Sequence, residues 1–137
     1  MRRTLLVAAC ALVFATGCDS SPSDPNRTLP LTGSLARSGA TVSTLSMRHT
    51  GNLRATAVEL KQVAADGTVS AAARGITFSV GIGAGATCTA TGSFALIQGS
   101  VVSLGLTKGD YCVSLTEPTG VPEGSTLTYD VRLEITD

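Results

Sequence analysis

Tryptophan is absent from this 137-residue chain, aromatic residues make up 4% of it, and there is one histidine, His49. So few rings give no platform on which bases could stack. The charges balance, with ten Lys plus Arg against ten Asp plus Glu, so the basic footprint that holds a phosphate backbone is missing. Nucleic acid is not an expected partner. No apolar run reaches the roughly twenty residues that cross a bilayer as a helix. The length fits one small domain.

What is present starts with an address. Arg2 and Arg3 precede LLVAACALVFA, an apolar core of signal-peptide length. Ala15, Thr16, Gly17 and Cys18 follow it. This ATGC resembles the bacterial lipobox, although Ala15 stands where leucine is commonest. The resemblance implies that residues 1–17 are removed and that Cys18 receives a diacylglycerol and becomes the new N-terminus. Acyl chains contribute about 0.8 kcal/mol per buried methylene, so two or three of them hold a protein on a membrane without a spanning helix. Removal of two arginines and no acid leaves eight basic and ten acidic side chains. Residues 18–31, rich in Ser, Pro and Asp, read as the lipidated cysteine and a flexible tether. Residues 32–137 remain as the folded domain.

Cys10 leaves with the signal and Cys18 is assigned to lipid, so Cys88 and Cys112 form the only pair in the folded part. In an exported chain an even remainder points to a structural disulfide. A metal pair or a redox couple would need CxxC spacing or further ligands.

The folded part reads as strands. From Leu127 to Thr136, LTYDVRLEIT alternates without a break: Leu127, Tyr129, Val131, Leu133 and Ile135 share one face. In DYCVSLT, Tyr111, Val113 and Leu115 share a face after a turn at Lys108–Gly109. Ile76, Phe78, Val80 and Ile82 alternate likewise. Softer signals mark Leu35, Leu45 with Met47, Leu53 with Ala55 and Ala57, and Ser100–Leu106. Gly51–Asn52 and Asp66–Gly67 read as turns, the first as a hairpin. The alanines between Lys61 and Gly75 lack the apolar stripe of a helix. Seven or eight short strands predict an all-β fold, a jelly-roll-like or Ig-like antiparallel β-sandwich.

Gly109, Tyr111 and Val113, then Tyr129, Val131 and Leu133, together with the Gly51–Leu60 segment, resemble the strand motifs of bacterial pre-peptidase C-terminal domains. The resemblance covers about residues 32–137. It implies a non-catalytic, jelly-roll-like accessory module of secreted proteins.

Catalytic chemistry finds little support. Gly81, Gly83 and Ala86 fit G-x-G-x-x-A formally, but the TCTATGSF that follows is β-prone, not the helix that dinucleotide binding needs. His49 has no nucleophile elbow to serve. Asp110, Glu117, Glu123 and Asp130 gather around two strands and their loop, so the alternative function is a small envelope hydrolase or a calcium-dependent binding protein using loop 117–123; no EF-hand-like calcium loop accompanies them. The expectation is therefore an exported, lipid-anchored, non-enzymatic β-sandwich at the bacterial cell envelope, facing the periplasm or the cell surface. Its expected contacts are the membrane, through the anchor, and an envelope protein; no catalytic residue, cofactor or transition metal is expected.

Overall fold

The computed structural model of the chain describes residues 26–83 and 87–137. The signal segment, Cys18 and Ala86 lie outside the described residues. Nine strands form in chain order: β1 (Asn26–Ala36), β2 (Ala40–Met47), β3 (Gly51–Val63), β4 (Val69–Ala71), β5 (Ile76–Ile82), β6 (Thr89–Leu96), β7 (Val101–Leu106), β8 (Gly109–Thr116) and β9 (Thr126–Thr136). One sheet runs β1-β9-β3, with β4 and β7 both on the far side of β3; the other runs β2-β8-β5-β6. Every pairing is antiparallel. The two sheets pack face to face as a β-sandwich.

The alternation in β9 explains its place at the centre of the first sheet. Leu127, Tyr129, Val131, Leu133 and Ile135 are all buried, and the register sets Val131 between Leu31 and Ala57, and Leu133 between Leu29 and Ala55. The second sheet answers with Val113 beside Val80 and Leu115 beside Phe78. Leu53, Leu60, Ile76 and Leu96 complete the same core. Each fully buried large side chain contributes about 1.5–3 kcal/mol relative to exposure.

Several local expectations are revised. The strand β1 begins at Asn26, inside the stretch whose composition reads as tether. Leu29 and Leu31 alternate there and pack on the core, and Pro30 is accommodated because β1 is an edge strand. Gly51 and Asn52 do not make a hairpin: they are the first residues of β3, and β2 and β3 belong to different sheets. Ile82 is 62% exposed because β8 accompanies β5 only as far as Gly81. The alanine-rich stretch contributes β4, which closes a hairpin with β3 through Asp66, whose carboxylate accepts the Thr68 N–H at 2.9 Å.

Two bulges let the inward faces line up. In β3 the register shifts between Ala57 and Glu59. Val58 is the extra residue, and the inward set passes from Leu53, Ala55 and Ala57 to Leu60. In β6 the shift opposite Val80 and Gly81 leaves Thr91 unpaired, and its hydroxyl donates to the Val80 carbonyl at 3.0 Å. Such insertions reverse the facing of everything beyond them.

Candidate functional site

Cys88 and Cys112 are joined in a disulfide with 5.7 Å between their Cα atoms. Cys112 sits on the outward side of β8, opposite Thr44 on one neighbour and Gly81 on the other, yet it is fully buried. The bridge ties the segment entering β6 to the middle of β8. The neighbouring glycines have a steric reason. A Cβ on Gly81 would lie 2.0 Å from the Thr89 carbonyl oxygen, and Gly83 adopts a φ of +132°, a conformation that favours glycine. Gly81 thus belongs to a tight strand pair, whereas the dinucleotide fingerprint needs its glycines at a strand-to-helix turn.

Glu117 follows β8 directly and is almost fully buried. Its Oε2 accepts the Ser38 N–H at 2.7 Å, and its Oε1 accepts the N–H groups of Val121, at 2.9 Å, and of Gly120. Burial pushes its carboxyl upward, but these amides, with that of Thr119, outweigh burial and hold it below the ordinary glutamate value. Both oxygens are therefore engaged with backbone. The other acid of the loop, Glu123, is exposed. The loop 117–123 places one carboxylate inside and the other in solvent, which is poor geometry for a shared cation or a paired-acid reaction. Among the described residues, no group of three or more His, Cys, Asp or Glu is placed to hold a metal ion.

The remaining candidates are dispersed. His49 is exposed between β2 and β3. Asp110 accepts the Ser46 hydroxyl at 2.5 Å across the β2–β8 ladder. Asp130 lies on the outer face of β9, opposite Thr32 and Glu59.

A cavity of about 540 Å³ is one that sequence patterns did not nominate. It opens at the end of the first sheet, where Asn26, Arg27, Asn52, Arg54, Glu134 and Thr136 come together. The register brings them there: Thr136 lies between Asn26 and Asn52, and Arg54 is opposite Glu134, with 3.6 Å between their charged groups. At the rim, Arg27 donates to Asp137 at 2.8 Å and to the Ser46 carbonyl at 2.7 Å, so one guanidinium links both sheets. The Arg48 N–H also reaches Asp137; that bond first, and the Arg27 charge after it, hold the aspartate below its usual value against the opposing effect of burial. Eight of its nine lining residues have polar side chains, Ile135 being the exception, and none is histidine or cysteine. No protein-family model matches the chain, and no curated protein matches it either.

Proposed function

We propose that the protein is an exported, lipid-anchored β-sandwich that acts without catalysis, as an accessory or interaction module at the bacterial cell envelope. The observation that carries this reading is the Cys88–Cys112 bridge, a linkage that persists in oxidising compartments and is rare in the cytosol. It agrees with the basic start, apolar core and ATGC ahead of it. The resemblance of the β8 and β9 motifs to pre-peptidase C-terminal domains implies an accessory role. Lipid on Cys18 would then hold a rigid domain at the membrane, on a short segment leading into β1.

Metabolic labelling with a radioactive fatty acid, followed by membrane fractionation, tests the proposal. The protein should carry label and sediment with membranes, and Cys18→Ser should lose both properties. Label that survives the substitution would refute the anchor.

A further inference from the structure

Among the described residues, no strand pairs with the outer edge of β2 in the second sheet. The Glu117 N–H donates to the Gly39 carbonyl at 2.9 Å, and Gly39 continues the β2–β8 register by one position. Backbone groups in an antiparallel strand alternate in direction. Thr41, Ser43 and Leu45 therefore bond to β8, while Val42, Thr44 and Ser46 direct their N–H and C=O groups to the open side. The Ser46 carbonyl obeys this rule, since it is the one that accepts Arg27.

Sheet edges are normally guarded by proline, charge, bulges or brevity. Among the described strands β1 has Arg27 and Pro30, β6 has the bulge at Thr91, β4 has three residues and β7 has six. By contrast β2, ATVSTLSM, is eight residues long with no charge, proline or bulge of its own, and Arg27 of β1 caps it only at the Ser46 carbonyl, its last outward group. The side of the sandwich beside it is open as well. Leu29 and Leu31 on β1 are only half-buried, and two clefts, of about 370 and 200 Å³, run between β1 and β2.

We infer that β2 pairs with β2 of a second copy about a two-fold axis at Ser43. Such a pairing sets Val42 opposite Thr44 of the other copy, twice, and joins two four-stranded sheets into one. Leu29 and Leu31 of both copies then lie beneath the joined sheet. The occupant is a second copy because β2 itself supplies what the edge requires: a β-prone strand with no charge to oppose its own image. The segment at 19–25 holds Pro22, Pro25 and two aspartates and has no apolar side chain of any size besides those prolines, so it suits neither the ladder nor the leucines. This inference rests on the proposed function in taking residues 1–17 as removed, and the labelling of Cys18 tests that removal separately from the link at position 43.

The test uses the full-length chain expressed in a bacterium. Position 43 would face its own copy at a non-hydrogen-bonded site, where Cα atoms lie about 4.5 Å apart, within disulfide range. Ser43→Cys should give a covalent dimer on a non-reducing gel, with the position-43 peptide linked to its own copy. Sedimentation of the detergent-purified parent should show a dimer. Val42→Lys combined with Thr44→Lys, which sets like charges opposite each other, should weaken it about tenfold or more while leaving the circular dichroism unchanged. Thr44→Pro, which removes one outward N–H, should act in the same direction. A parent that is monomeric at every concentration tested would overturn the inference. So would a dimer that survives these substitutions and yields no link at position 43.

Discussion

Glu117 and Ser38 are 79 positions apart and are joined by one hydrogen bond of 2.7 Å. It connects the turn between β1 and β2 to the loop between β8 and β9. Ser38 and Thr119 both adopt a φ of +58°, uncommon for residues with a side chain. One carboxylate thus organises two loops that each contain a left-handed residue.

The pH dependence follows from the lowered folded-state value. A carboxyl whose folded pKa lies below its unfolded one adds stability above the unfolded value, and that contribution is lost as pH falls through the folded value. Glu117→Gln should cost about 1–3 kcal/mol at neutral pH, because backbone donors lose a charged acceptor. It should also flatten the decline in stability on acidification below the ordinary glutamate range. Urea unfolding between neutral and acid pH checks both; equal slopes in parent and variant would refute the role.

The disulfide closes a loop with a sequence separation of 24. In the chain-entropy description such a closure stabilises by about 3–4 kcal/mol. Replacing both Cys88 and Cys112 by alanine should lower the unfolding free energy by about that amount, measured in urea. A non-reducing peptide map of the parent should show the two cysteine peptides linked, and free thiols at both positions would contradict the pairing.

Val131 is completely buried between Leu31 and Ala57. Val131→Asp places a carboxyl there with no partner, at a cost of several kcal/mol. Loss of the cooperative thermal transition is expected. A variant that melts like the parent would mean that β9 faces the other way.

The fold was most readable where strict alternation ran longest. In β9 and β8 the period of two, sustained through Leu127–Ile135 and Tyr111–Leu115, specifies face as well as strand. Bulges escape such a reading: Val58 looks like one more apolar residue, and only its position opposite β9 shows why Leu60, not Glu59, turns inward. The strand signal at Leu35 marked the end of β1, but its first half was hidden by Pro30 and its polar neighbours, although Leu29 and Leu31 hold the period. Gly51–Asn52 has turn composition but opens β3; the chain bends just before it, at residues 48–50, where it passes from one sheet to the other. The site residues were less legible still. Arg27, Arg54 and Glu134 converge only through strand order, which local sequence does not encode. Glu117 reads as one acid of a candidate cation or catalytic loop until the amides of Ser38, Gly120 and Val121 are placed around it.

The strand order also governs how the molecule is made. With β8 and β9 missing, the remaining ladders are β3 with β4 and β7, and β5 with β6; β1 and β2 have no ladder partner at all. Long-range pairing of this kind slows folding, and here it delays closure until the last two strands arrive. A chain that emerges N-terminus first therefore leaves its edge strands β1 and β2 waiting until β8 and β9 follow, so both sheets are completed from the C-terminal side.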